Sequence, residues 1–199
     1  MCSSDLFPSH DTQSQSIEPD SKAILQTYLP GNYGADALAD ILSGDVNPSG
    51  RLPYTYPKYE QGLITYDHKP GQNMEGKMEG AYDYGAQTSV QYPFGFGLSY
   101  TTFEYSDLVV ENKEFVSGDT IRISVDVKNT GTASGKETVM LFSRDMIATL
   151  SPDVRRLRAF EKISLNPGEI KTISLTVPAD DLAYVNEKGK WVLEAGEIS

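Results

Sequence analysis

The chain has 199 residues, with 17 Lys and Arg against 28 Asp and Glu and a formal charge of -11. That length holds one domain and part of another, or two small ones, and excludes a large multidomain enzyme. The negative field repels a phosphate backbone, so nucleic acid is not an expected partner. Cys2 is the single cysteine, and His10 and His68 are the two histidines, which excludes an internal disulfide framework and a cysteine-based zinc site and makes neither a histidine-rich metal site nor cofactor chemistry an expectation. No stretch reaches the roughly 20 apolar residues that cross a bilayer, so no membrane partner is expected, and the start lacks the basic and apolar regions of a signal peptide.

Residues 1–22 are rich in Ser, Gln, Asp and Pro, a composition that cannot bury enough apolar surface to offset chain ordering. Met1 to Leu6 (MCSSDL) reads like translated sequencing adaptor, and the whole segment is expected to be disordered or artefactual. The run AILQTYL, Ala23 to Leu29, predicts a buried strand, and Pro30-Gly31-Asn32-Tyr33-Gly34 a turn after it. A helix is expected next. Leu38, Ile41 and Leu42 fall on one helical face, Asp36 lies in the first turn where the dipole favours a carboxylate, and Gly44 supplies the stop. Asn47-Pro48-Ser49-Gly50 reads as a tight turn, and the prolines of Arg51 to Pro57 suit an edge or extended segment. Residues 58–100 carry little periodicity and read as a long Gly- and Tyr-rich loop and linker.

From Phe103 onward the pattern changes. Ile121, Ile123, Val125 and Val127 alternate with Arg122, Ser124, Asp126 and Lys128, the period of a strand with one face in a core. Ile173, Leu175 and Val177 repeat it. Turn sequences at Ser117-Gly118-Asp119, Asn129-Thr130-Gly131, Asn166-Pro167-Gly168 and Glu187-Lys188-Gly189 separate strands expected near 103–110, 120–128, 137–143, 157–165, 170–177 and 190–194. The expectation is a mainly β protein with an immunoglobulin or fibronectin type III-like β-sandwich over 101–199. A seven-strand sandwich would still want its last strand at Ser199.

Five segments carry a family likeness: AILQTYLPG from Ala23, GDVNPSGRLPYTYP from Gly44, YPFGFGLSYTTFEY from Tyr92, NTGTASGKETVMLF from Asn129 and LRAFEKISLNPGE from Leu157. Their order resembles the C-terminal region of glycoside hydrolase family 3, most closely its bacterial β-glucosidases, over about residues 23–198. The resemblance implies a three-part parent enzyme: an N-terminal barrel, an α/β sandwich domain and a fibronectin type III-like domain. Residues 23–57 would be the C-terminal remnant of the α/β domain. The implied chemistry is retaining, exo-acting hydrolysis of O-glycosyl bonds in oligosaccharide catabolism, with two carboxylates about 5 Å apart. In the family the nucleophilic Asp lies on the barrel and the acid/base Glu in a loop placed upstream of residue 23. No residue of this chain matches either, so no catalytic, substrate-binding or metal residue is assigned and no cofactor is expected. The implied partners are the barrel and the rest of the α/β domain, with oligosaccharide reached only through the parent, for which a periplasmic or secreted setting would be natural.

Other residues have both a functional and a plainer reading. Asp36 with Asp40, and Asp180 with Asp181, are close in sequence, but a helix start and a polar turn suit solvated acids. Pro30-Gly31 with Gly34 matches no phosphate-binding spacing and reads as turn geometry. Glu79, Tyr82 and Tyr84 could touch sugar or pack at an interface, and His68 reads as solvated. Arg155, Arg156 and Arg158 suit salt bridges, and Phe94 to Leu98 (FGFGL) a joint between domains. Trp191 alternates with Leu193, which predicts a core position. The competing function is an independent carbohydrate-binding or adhesion module, which would need an exposed aromatic platform.

Overall fold

A computed structural model describes residues 18–58, 64–70 and 89–199 of the chain. The described residues divide into two compact units, the first drawn from 18–46, 51–58, 64–66 and 89–96 and the second from 47–50, 67–70 and 97–199.

In the first unit the expected helix is present as α1, Gly34–Ser43. Gly31 takes a positive φ of 66° in the turn before it, and Gly34 lies so close to Pro30 that an added Cβ would meet the proline Cβ at 2.3 Å. Gly44 ends the helix in the left-handed region, its N–H donating to the Ile41 carbonyl at 3.1 Å. The apolar stripe is only half covered: Leu38 and Ile41 are partly buried and Leu42 is exposed. Ala23 to Leu29 does not form the expected strand; the segment joins no ladder among the described residues, and Tyr28 takes a φ of 52°. Nor is it buried as expected: Ala23, Tyr28 and Leu29 are exposed and the residues between them only partly covered, because an apolar run by itself supplies neither a partner strand nor a covering layer. Strands β1 (Tyr56–Pro57) and β2 (Val90–Tyr92) pair antiparallel, extended at both ends by Lys58 N–H to the Ser89 carbonyl and by Leu52 and Phe96.

The second unit is a β-sandwich. One sheet has the order β3 (Phe103–Val110), β4 (Thr120–Asn129), β7 (Ile170–Pro178), and the other pairs β5 (Gly135–Ser143) with β6 (Arg156–Leu165), all antiparallel. A short hairpin of β8 (Tyr184–Val185) and β9 (Trp191–Val192) follows. The alternations decide which faces meet. Val127, Ile173 and Leu175 from the first sheet close on Val139, Ile163 and Leu165 from the second, and Ile121, Ile123 and Val177 form an adjoining cluster. Each such side chain contributes about 1.5–3 kcal/mol on burial.

A polar knot closes one end of this core. Asn129 is fully buried, and its side-chain oxygen accepts from Thr101 Oγ1 at 2.6 Å and Gly131 N–H at 3.1 Å. Its amide nitrogen donates to the Ala133 carbonyl at 2.9 Å and the Leu165 carbonyl at 3.1 Å. The backbone of Asn129 pairs in turn with Glu169 and Gly168. Gly131 is required here by space rather than by φ, since a Cβ would fall 2.3 Å from Thr101 Oγ1 and 2.9 Å from Thr102 N. Asn47 docks on the same end, donating to the Ser134 carbonyl at 2.9 Å and accepting from Ser99 Oγ and Tyr100 N–H. The turn at Asn47 to Gly50 thus also holds the sandwich.

Replacing Asn129 by Ala takes a partner from four groups, of which the two in fully buried bonds, the Thr101 hydroxyl and the Leu165 carbonyl, cost about 1–2 kcal/mol each. Urea unfolding followed by circular dichroism is expected to show a loss of about 2–4 kcal/mol in total. A loss below about 1 kcal/mol would contradict the role given to this residue.

Candidate functional site

The acids weighed from sequence are not drawn into a shared cleft. Asp36 and Asp40 are exposed on α1, and Asp180 and Asp181 are exposed, with Asp180 accepting from Ser117 Oγ at 2.6 Å. Glu79, Tyr82 and Tyr84 lie outside the described residues. His68, expected to be solvated, is half-buried instead, and its backbone carbonyl accepts from Val154 N–H at 2.9 Å. The three arginines take separate roles: Arg155 stacks over Phe142 at 5.1 Å, Arg156 lies 3.9 Å from Asp153, and Arg158 donates to Ser143 Oγ and the Asp181 carbonyl.

In the first unit, β1 and β2 assemble a row of rings. Tyr28 meets Tyr54 edge-on at 6.5 Å, Tyr54 stacks with Tyr56 at 6.1 Å, Tyr56 meets Tyr92 at 5.9 Å and Tyr92 stacks with Phe96 at 5.0 Å. The pairing register makes the row, because it sets Tyr56 opposite Tyr92. Tyr56 is buried whereas Tyr28, Tyr54 and Phe96 remain exposed in part, so the row is both packing and surface. Burial raises the phenol of Tyr54 to about 12, with its tyrosine neighbours Tyr28 and Tyr56 adding to the effect. Tyr92 also rises to about 12, through burial first and then the hydrogen bond and charge of Glu18.

In the second unit a cleft of about 310 Å³ is lined by Lys69, Asp145, Asp153, Arg156, Tyr184 and Trp191, among others. Asp153 is held between Lys69 at 2.6 Å and Arg156. Beside it, Glu194 accepts from Thr149 N–H at 2.9 Å and from the Thr149 hydroxyl, bonds that with Tyr184 hold its carboxyl below the usual carboxylate range. Trp191 does not enter the core, as its alternation with Leu193 suggested, but is 70% exposed. The reason is that β9 is two residues long and pairs only with β8, so the inside-outside rule of the main sheets does not reach it. Among the described residues no cluster of His, Cys, Asp or Glu could hold a metal ion.

The model for the glycosyl hydrolase family 3 C-terminal domain matches residues 9–100, and the fibronectin type III-like domain matches 137–199. The chain belongs to glycosyl hydrolase family 3, matching the C-terminal part of its members. It is 41% identical over 185 residues to the thermostable β-glucosidase B of Acetivibrio thermocellus, covering 89% of this chain and 24% of that protein. A β-xylosidase from Formosa agariphila is 38% identical over 178 residues, again 24% of its length. The chain therefore spans about a quarter of the curated relatives it matches. Among solved structures, a β-glucosidase from Erythrobacter marinus superposes with a TM-score of 0.82 at 36% identity, over 92% of this chain and 23% of that one. A β-glucosidase from Listeria innocua in complex with glucose gives 0.81 at 29% identity, over 92% and 26%. These matches place the mainly β sandwich, and the α/β remnant before it, within the family 3 architecture.

The raised phenols give this family 3 segment a pH signature. Tyr54 and Tyr92 bind their protons more tightly when folded, so their contribution is complete below the unfolded value of 10.0 and is lost as pH rises through about 12. Ultraviolet titration of the folded chain is expected to show tyrosines ionising well above pH 10, and Tyr54→Phe to remove part of that late phase. Ionisation of every tyrosine near pH 10 would contradict the packing of the row.

Proposed function

We propose that the chain serves as the C-terminal, non-catalytic part of a retaining, exo-acting β-glycosidase, most like a β-glucosidase that releases terminal glucose from oligosaccharides. The observation that carries the reading is the occurrence of the two family matches in one order, with relatives whose names are β-glucosidase and β-xylosidase. Retaining hydrolysis needs two carboxylates about 5 Å apart, one of them with a raised pKa so that it can act as an acid. The described acids support a supply of that pair from elsewhere: Asp36, Asp40, Asp180 and Asp181 are exposed, and Glu194 is shifted the wrong way for an acid.

In this reading residues 23–57 complete the α/β domain of the parent, 58–100 link, and 101–199 form the sandwich, with no catalytic or metal residue and no residue of the catalytic substrate pocket in the chain. The barrel and the remainder of the α/β domain are the intramolecular partners, and oligosaccharide reaches the catalytic pair only through them. Exposed apolar residues in the first unit, including Leu29, Tyr33 and Leu42, fit surface that the rest of such a domain would cover.

The isolated chain is expected to release no aglycone from an aryl β-glucoside. A chimera in which residues 23–199 replace the matching segment of the Acetivibrio thermocellus relative is expected to regain turnover that the truncated relative lacks. Turnover by the isolated chain, abolished by substituting one of its own Asp or Glu residues, would overturn the proposal.

A further inference from the structure

We propose that the cleft beside Trp191 is a saccharide-binding subsite for a neutral mono- or disaccharide. Its volume of about 310 Å³ falls at the lower end of small-molecule sites. Trp191 offers it an exposed indole, and the C–H-rich face of a pyranose ring packs on such a surface while the ring hydroxyls turn outward to polar groups.

The backbone that carries the indole is fixed by its own hairpin. Val185 and Trp191 are paired across β8 and β9, and the turn between them is locked by Asn186, whose side chain accepts from Lys188 and Lys190 N–H at 3.0 and 3.1 Å. Gly189, at a φ of 70°, closes the turn with its N–H on the Asn186 carbonyl. Tyr184, on the partner strand, is tied to Glu194, which is tied to Thr149. A hairpin already ordered loses little backbone entropy on binding.

The polar lining selects for charge. Lys69 and Arg156 face Asp153, Asp145 lies in the same wall, and Arg158 is turned to Ser143 Oγ and the Asp181 carbonyl, so donors and acceptors are both present and the net charge of the lining is small. An anion would meet Asp145 and Asp153, and a cation would meet Lys69 and Arg156. Hydroxyl groups, which donate and accept, can use both without bringing a net charge. The subsite goes beyond the architectural role above, and its failure would leave that role and the chimera experiment untouched.

Trp191 is the single tryptophan of the chain, so its fluorescence reports this cleft alone. Titration of the full chain with cellobiose and with xylobiose is expected to give a saturable blue shift or intensity change, with a Kd on the order of 1 mM. Sorbitol and a glucuronate salt at equal concentration are expected to give none. Calorimetry on Trp191→Ala, checked for native circular dichroism, is expected to show binding weakened at least about tenfold, with Trp191→Tyr keeping part of it. No saturable response to either disaccharide would overturn the proposal, as would equal binding by Trp191→Ala or an equal response to sorbitol.

Discussion

The buried carboxamide of Asn129 is the interaction on which the sandwich depends. It stands at the end of β4, and its four side-chain hydrogen bonds reach Thr101 before β3, the turn at Gly131 and Ala133, and Leu165 at the end of β6. One side chain therefore joins the entry to the first sheet, the crossing between sheets and the far edge of the second. A buried amide left unsatisfied would destabilise the fold, but here each donor and acceptor has a partner, so the group specifies one arrangement of the sheets over its competitors.

The apolar contacts supply most of the driving force, and the knot decides where they form. Val127 lies two residues before Asn129 and is fully buried, and Leu165 both packs in the core and accepts from the amide through its carbonyl. Fixing Asn129 thus fixes the register in which Val127 and Ile173 meet Val139 and Ile163. The first unit has no equivalent centre among the described residues. Its order comes from a ring row and one short strand pair, and several of its apolar side chains face outward.

The strands of the sandwich were legible because their period is local: Ile121 to Val127 and Ile173 to Val177 announce a buried face without reference to any partner. The helix was legible for the same reason, with Asp36 near its start and Gly44 at its end. What could not be read was non-local. Asn47 looked like a turn residue, and nothing near it in sequence signals Ser134, 87 residues away. Ala23 to Leu29 advertised a buried strand, yet it joins no ladder among the described residues and stays partly exposed. Trp191 was misplaced because alternation was extended to a two-residue strand outside the main sheets, and the cleft it borders combines residues from Lys69 to Trp191 that share no motif. Gly131 was read only as part of a turn, whereas the close approach of Thr101 is what demands a glycine there.

Amide hydrogen exchange on the purified chain tests most directly whether stability is concentrated in the sandwich organised by Asn129. The account requires the slowest exchange along the β4–β7 and β5–β6 ladders, around Val127, Val139, Ile163 and Ile173, and markedly faster exchange in α1. Protection around Leu38 and Ile41 equal to that of the β4 ladder would contradict it.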